Sequence, residues 1–240
     1  MAYKFHLSER ESVAKAIEIA AAARSLEELY DGIKSYDGHE VAQREDFTAS
    51  QASPHKNPIM IVSEKPEPED RETGKPFSGN YGKIMRNTAN TIGIDLDACH
   101  ITYAVRWLPD EEKSPNKTQI AASRPFLFRE IELVKPRVIL AQGRGVIESL
   151  AMYRGNVMDI YGHTMNFAYN DISLQMFMTA HPKYCLFDGT YFITFNSDNT
   201  KFFDRFGTEE ESTKPGSFVP KKEEVNWDQP IFARVNNKAA

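Results

Sequence analysis

The chain has 240 residues, of which 41% are hydrophobic and 26% charged, with a formal net charge of -5. This is enough for one domain with a buried core, and the net acidity gives no general electrostatic signature of nucleic-acid binding. The sequence contains no apolar run that could span a membrane and no signal-peptide pattern. Cys99 and Cys185 form no CxxC pair, so a disulfide framework is not predicted. We expect a monomer in the reducing cytoplasm.

The first 57 residues predict two helices followed by a loop. Apolar residues recur at helical spacing between Ser8 and Tyr36, and Ser25 is a suitable N-cap for a second helix. Residues 43–57 are polar and show no period, which is typical of a loop.

The segment from Pro58 to Gly82 (PIMIVSEKPEPEDRETGKPFSGNYG) is the most informative part of the chain. Ile59–Val62 is an apolar run of the right length for a buried strand, and an acidic loop with several prolines follows it. Phe77 then precedes a helix that begins near Gly79. Such loops form ligand sites in open α/β sheets, where carboxylates can activate water and helix amides can hold a phosphate.

The rest of the chain alternates strands with helices. We predict strands over 100–105, 137–141 and 174–178, and helices over 83–92, 118–134, 146–153 and 191–206. This order favours a three-layer α/β fold with a mostly parallel central sheet flanked by helices. One domain over residues 1–206 is expected, followed by a disordered or loosely packed tail over 207–240. Within the tail, residues 226–235 either dock on a protein partner or pack on the core.

Three motifs resemble those of the family 4 uracil-DNA glycosylases. Residues 64–82 match the motif GEAPGxxEDxxGxPFVGxxG from Glu64 through Phe77 to Gly82. ITYAVRW at 101–107 resembles ITNVV, and residues 123–143 match the helix and strand that follow it in the family. TAHPKYCL at 179–186 resembles TxHPxYLL. Each motif alone is weak, but together they are in the family's order with compatible spacings.

The resemblance implies a DNA glycosylase that hydrolyses the N-glycosidic bond of uracil or a related modified pyrimidine after flipping the nucleotide. Asp70 would hold the attacking water, and Glu64 would help to shape that site. His181 would donate to an oxygen of the departing base. Phe77 would stack on the base.

The resemblance also implies DNA contacts. The amides around Ser78, Gly79 and Asn80 would hold a phosphate next to the flipped nucleotide, and Gly143 with Arg144 would contact the backbone. The segment after His181 would supply further contacts and a wedge that fills the space left by the base. Its candidate residues are Lys183, Tyr184, Leu186 and Phe187.

The same residues have ordinary structural roles in other proteins. Asp70 and Glu64 lie in a charged run, where most carboxylates are solvated. Phe77 after a proline would usually be core, and His181 before a proline would usually bond to the backbone.

Three substitutions in the motifs bear on substrate recognition. Tyr103 replaces the Asn that reads the uracil edge in the family, so a larger ring with one hydroxyl either crowds a flipped base or reads a different one. Ser63 and Glu67 replace glycines, which changes the backbone freedom and the charge of the base-binding loop.

The iron–sulfur cluster of the family is not expected here. His39, Trp107 and Ser123 stand where its ligands would be, and Cys99 and Cys185 lie elsewhere. We therefore predict no cofactor and no metal, and we expect the N-terminal helices to be held by apolar packing around Trp107 and Phe126.

Two further functions are compatible with this sequence. The chain can be a glycosylase-fold protein that binds DNA or a replication or repair partner without excising a base. It can also act on free modified pyrimidine nucleosides. The leading expectation remains a nucleoid-associated enzyme that acts on single- or double-stranded DNA.

Overall fold

The computed structural model describes residues 9–38, 50–107, 114–153 and 155–207. Five strands form one sheet in this part of the chain: β1 (Ile59–Ser63), β2 (His100–Tyr103), β3 (Val138–Gln142), β4 (Thr164–Tyr169) and β5 (Ile172–Thr179). The α-helices are α1 (Glu9–Ala22), α2 (Leu26–Lys34), α3 (Pro68–Thr73), α4 (Asn80–Thr91), α5 (Lys117–Val134), α6 (Arg144–Ala151) and α7 (Gly189–Phe206). No helix among the described residues is long and apolar enough to cross a membrane.

The sheet has the strand order β2-β1-β3-β5-β4, and only β4 is antiparallel to its neighbour. Every residue of β1 and β3 is buried, as expected for parallel strands covered on both faces. The predicted α/β class with a mostly parallel sheet is therefore confirmed. Because β1, β3 and β5 are parallel, the residues that follow them lie at one edge of the sheet.

Each face of the sheet has its own apolar core. On one face, Phe128 of α5 and Ile147 of α6 pack with Met60 of β1. On the other face, Met85 of α4 and Phe202 of α7 belong to a second cluster. These helices form the two outer layers of the predicted three-layer arrangement.

The acidic loop contains a helix that the sequence reading missed. Helix α3 begins at Pro68, with Glu67 as its N-cap and Asp70 at its third position, and the two residues form a capping box. Proline is well suited to the first turn of a helix because its missing N–H would have no partner there. Pro68, one of the prolines that suggested a loop, therefore starts a helix.

The N-terminal helices pack against α5 through an aromatic cluster of Tyr36, Trp107 and Phe126. The ring centroids of Tyr36 and Phe126 lie 5.1 Å apart, and those of Trp107 and Phe126 lie 6.1 Å apart. Trp107 is 1% exposed. The predicted apolar packing around Trp107 and Phe126 is present.

The residues that stand at the family's iron–sulfur ligand positions do not fit a cluster. The Trp107 ring lies within the aromatic cluster, Ser123 is buried on α5, and His39 lies outside the described residues. Cys99 packs in the core on the α4 and α7 face of the sheet. No group of three or more His, Cys, Asp or Glu among the described residues could hold a metal ion.

A buried ionic network also attaches α2 and α5 to the sheet. Glu130 of α5 pairs with Arg106 and accepts from Tyr30 of α2 at 2.9 Å. Burial, reinforced by Arg106, lowers the pKa of the neighbouring His100 to about 3. The histidine is therefore neutral at pH 7, and the guanidinium balances the Glu130 charge.

Truncating Trp107 should weaken the packing of the N-terminal helices against α5. We expect Trp107→Ala to lower the free energy of unfolding by about 3–5 kcal/mol, because it leaves a cavity in the aromatic cluster. Urea denaturation measures the loss. Phe187→Ala is the matched control, since Phe187 is 81% exposed and should change stability by less than about 0.5 kcal/mol. Equal midpoints for Trp107→Ala and the wild type would contradict the role of the cluster.

Candidate active site

The candidate site lies where β1, β3 and β5 end. Ser63 ends β1 and Glu64 follows it, Gly143 follows β3, and His181 follows β5. Ser63 Oγ lies 3.1 Å from His181 Nε2. Gly143 has φ +96°, and a Cβ there would lie 2.7 Å from Glu64 Oε1 and 3.0 Å from His181 Cβ. Glycine at this position therefore lets the carboxylate and the imidazole approach each other across β3.

His181 is held as a neutral hydrogen-bond donor. The Lys183 N–H donates to His181 Nδ1 at 3.1 Å, so a neutral ring carries its proton on Nε2. Burial, reinforced by Lys183 and opposed by the Glu64 carboxylate, lowers the pKa of His181 to about 4. At pH 7 the Nε2–H therefore donates to Ser63 Oγ.

Glu64 is a buried carboxylate with three donors. Its Oε1 accepts from the Gly145 N–H at 3.0 Å, and its Oε2 accepts from Lys183 Nζ at 3.0 Å and from Ser114 Oγ at 3.3 Å. Burial raises the pKa of Glu64, but His181, Lys183 and the Gly145 N–H outweigh it, so the pKa lies below its ordinary value. The group is ionised at neutral pH and lies beside a neutral imidazole.

Asp70 is 1% exposed and is surrounded by donors. Its Oδ2 accepts from the Tyr103 hydroxyl at 2.6 Å and from the Glu67 N–H at 2.8 Å. Its Oδ1 accepts from the Ser78 N–H at 2.6 Å and from the Gly79 N–H at 3.4 Å. A carboxylate has about four lone-pair sites. The predicted water-holding role thus finds no free acceptor on Asp70.

Tyr103, for which the sequence left two roles open, lies between Asp70 and Phe77. Its hydroxyl donates to Asp70 and accepts from the Phe77 N–H at 3.2 Å, so it has no free polar edge with which to read a base. Its ring meets Phe77 edge to face, with centroids 6.3 Å apart. Phe77 is 3% exposed and belongs to the apolar core on the α4 and α7 face of the sheet. Little of the Phe77 ring is therefore accessible to a base in this structure.

The first amides of α4 are occupied by carboxylates. Ser78 and Gly79 donate to Asp70, while Tyr81 and Gly82 donate to Glu67 Oε2 at 2.8 and 3.2 Å. Of the three residues predicted to hold a phosphate, Ser78 and Gly79 therefore already donate their amides to a carboxylate of the same loop, and Asn80 is exposed. The sequence did not predict this, because Glu67 was interpreted there as a lost glycine and an added negative charge and not as a hydrogen-bond acceptor for these amides.

The predicted DNA contacts after β3, together with Lys183 after β5, include buried and exposed residues. Gly143 is buried, and the Gly145 N–H binds Glu64. Arg144 is exposed at the start of α6. The Lys183 ammonium contacts Glu64 and Ser114, a pairing that the sequence did not suggest. Arg144 is thus the basic residue of this set that remains available to a phosphate.

An exposed apolar surface follows His181. Leu186 and Phe187, which the sequence suggested as a wedge, are 52% and 81% exposed. Tyr184 stacks on Tyr191, with ring centroids 5.3 Å apart. The exposed apolar residues of α7 that the sequence reading did not single out are Phe192 and Ile193. Helix α7 begins at Gly189, earlier than predicted, and this places them in its first turns.

Comparisons with known proteins agree with this fold. The family model of the uracil DNA glycosylase superfamily matches residues 50–204, which is more than half of the chain. The chain belongs to this superfamily. It is 25% identical over 189 residues to the type-4 uracil-DNA glycosylase of Pyrobaculum aerophilum, covering 75% of this chain and 96% of that protein.

Two other relatives match shorter regions. The type-4 uracil-DNA glycosylase of Sulfurisphaera tokodaii is 30% identical over 139 residues, covering 55% of this chain and 63% of the relative. A DNA polymerase of Bacillus phage SP01 is 26% identical over 111 residues, covering 43% of this chain and 12% of the polymerase. The fold therefore also has a counterpart in part of a much larger protein.

The neutral state of His181 should make stability depend on pH. Its folded pKa of about 4 lies below the ordinary value of 6.5, so its contribution to stability is present above pH 6.5 and is lost as the pH falls toward 4. We expect the unfolding free energy of the wild type to fall more steeply over this range than that of His181→Gln, by up to about 3 kcal/mol. Urea denaturation at several pH values measures the difference. His55→Gln, at an exposed histidine, is the control variant. Equal slopes for His181→Gln and the wild type would contradict the neutral state of His181.

Proposed function

We propose that this protein is a DNA glycosylase that hydrolyses the N-glycosidic bond of uracil or a related modified pyrimidine in DNA. The observation that carries the proposal is the neutral, buried His181, whose Nε2–H lies at the sheet edge beside the ionised Glu64. Membership of the superfamily supports the same chemistry. A donor beside a carboxylate is what cleavage of a C1′–N bond with an anionic leaving base requires.

In the proposed reaction, a carbonyl oxygen of the flipped base replaces Ser63 Oγ as the acceptor of the His181 proton. As the C1′–N bond breaks, its electron pair moves to the base, and the Nε2–H stabilises the charge that develops on the carbonyl oxygen. A neutral imidazole suits this role because it need not lose a proton to do so.

The developing positive charge on the sugar needs a carboxylate and a water molecule. We assign both functions to Glu64, because it is ionised and three hydrogen bonds leave it one acceptor position. Water forms the new bond to C1′, and its proton passes to Glu64. Asp70 instead organises the loop, because its oxygens already accept from Tyr103 and from three backbone amides.

DNA would bind along the same edge of the sheet. The exposed Leu186 and Phe187 can fill the space left by a flipped base, and Arg144 can contact a phosphate. The partner is single- or double-stranded DNA, and the place of action is the nucleoid in the cytoplasm. The protein would act as a monomer. Of the expected tail over residues 207–240, residues 208–240 lie outside the described residues, and the role of the tail as a docking segment remains a prediction.

A second candidate is a DNA-binding or partner-binding protein that does not excise bases. The burial of Phe77 against Tyr103 favours it, since the ring expected to stack on a base is only 3% exposed. The similarity to part of a phage DNA polymerase is compatible with a role beside replication. A third function, action on free nucleosides, would be recognised by competition of a free nucleoside against duplex DNA.

Excision of uracil tests the proposal. Oligonucleotides with one uracil are incubated with the protein, and abasic sites are then cleaved with alkali. We expect wild-type activity, with His181→Ala lower by about 10²–10³ because the leaving base loses its donor. Ser63→Gly should raise activity by up to about tenfold, since the hydroxyl that competes for the His181 proton is gone.

The exposed His55 provides the matched control, and His55→Ala should retain wild-type activity. Full activity in His181→Ala would remove the histidine from the mechanism. If no variant excises uracil while the wild type still binds DNA, the binding protein becomes the better account.

A further inference from the structure

Lys183 contacts both groups to which the chemistry is assigned. Its backbone N–H donates to His181 Nδ1 at 3.1 Å, and its Nζ lies 3.0 Å from Glu64 Oε2. The same Nζ lies 2.5 Å from Ser114 Oγ. Lys183 occupies the unspecified position of the TxHPxYLL motif, so the motif gives it no role.

The backbone contact follows from local structure. A 3-10 helix, Pro182–Leu186, begins after β5, and His181 is its N-cap. Proline at the first position has no N–H, so the first amide that the cap can accept is that of Lys183. The imidazole serves as the capping acceptor through Nδ1, which leaves the proton on Nε2, toward Ser63.

The side-chain contact is partly buried. The Lys183 side chain is 19% exposed and that of Glu64 is 4% exposed, so the pair is screened less than a surface ion pair. The ammonium is one of the groups that lower the pKa of both His181 and Glu64. Lys65 also lowers the pKa of His181, and the Gly145 N–H also lowers that of Glu64. The other titratable groups that face the pair are Tyr81, whose ring contacts His181, and Tyr161, whose pKa Glu64 raises.

We propose that Lys183 is a positioning residue of the active site, which orients His181 through its amide and holds Glu64 ionised through its ammonium. The effect of Lys183 on excision rests on the proposed function, whereas its positioning of His181 and Glu64 does not. This role differs from the DNA contact predicted from the sequence. An ammonium bound to Glu64 and Ser114 cannot also neutralise a phosphate without leaving the carboxylate unpaired.

Lys183→Met and Lys183→Gln remove the charge and keep the amide, while Lys183→Arg keeps a cation. The exposed Lys83 on α4 gives the matched control, Lys83→Met. The pKa and tautomer of His181 are followed by NMR of ring-labelled histidine, with the His181 signals assigned by their loss in His181→Gln. We expect the pKa of His181 to rise in the two neutral variants, with the proton remaining on Nε2.

Excision provides the second readout. Without the ammonium the pKa of Glu64 should rise, so the acidic limb of the pH–rate profile moves to higher pH. At a pH on that limb, a shift of one pKa unit corresponds to about a tenfold loss of rate. Lys183→Arg should restore much of the profile, and Lys83→Met should leave it unchanged.

Two results would overturn the proposal. The first is an unchanged pKa of His181 and an unchanged pH profile in both neutral variants. The second is a salt dependence of DNA binding that falls by about one unit of slope in Lys183→Met, which would identify a phosphate contact. If the wild type excises no uracil, the proposed function fails, but the NMR titration still decides the positioning role.

Discussion

The structure of the site depends on hydrogen bonds between carboxylates of the acidic loop and the first amides of two helices. Glu64 accepts from the Gly145 N–H of α6, whereas Glu67 and Asp70 accept from amides at the start of α4. Helix N-terminal amides have no partner within the helix and favour negative charge. The loop after β1 therefore attaches to helices on either side of its strand, and the charge density that looked like a solvated run in the sequence is largely buried.

These contacts also determine which groups remain available for chemistry. The amides at the start of α4 bind the protein's own carboxylates, so phosphate recognition has to use other groups, such as the exposed Arg144. Asp70 is fully occupied, whereas Glu64 keeps an acceptor position and lies across Gly143 from His181. Burial lowers the pKa of His181 to about 4 and makes it a neutral donor, while cationic and amide neighbours keep Glu64 ionised. As a result, His181 is the neutral donor and Glu64 is the charged group.

The parts that could be predicted from the sequence are those set by local pattern. The buried strands β1 and β3 and the end of α5 before Lys135 follow from apolar runs and turn residues, and the motifs identified the family. The roles of Asp70, Tyr103 and Phe77 could not be derived in this way. The motif gives their identity but not their partners, and the hydrogen bond from Tyr103 to Asp70 joins residues 33 positions apart. Helix α3 was missed because Pro68 suggests both a loop and a first helical turn.

The structural role of Asp70 and the catalytic role of Glu64 are tested most directly by comparing Asp70→Asn with Glu64→Gln in unfolding and in uracil excision. Asp70→Asn turns an acceptor into an NH2 group that faces N–H donors, so the unfolding free energy should fall by about 3 kcal/mol, with excision per folded molecule largely retained. Glu64→Gln should lose excision by about 10²-fold or more. An Asp70→Asn variant that is as stable as the wild type but inactive would contradict this account and return the water-holding role to Asp70.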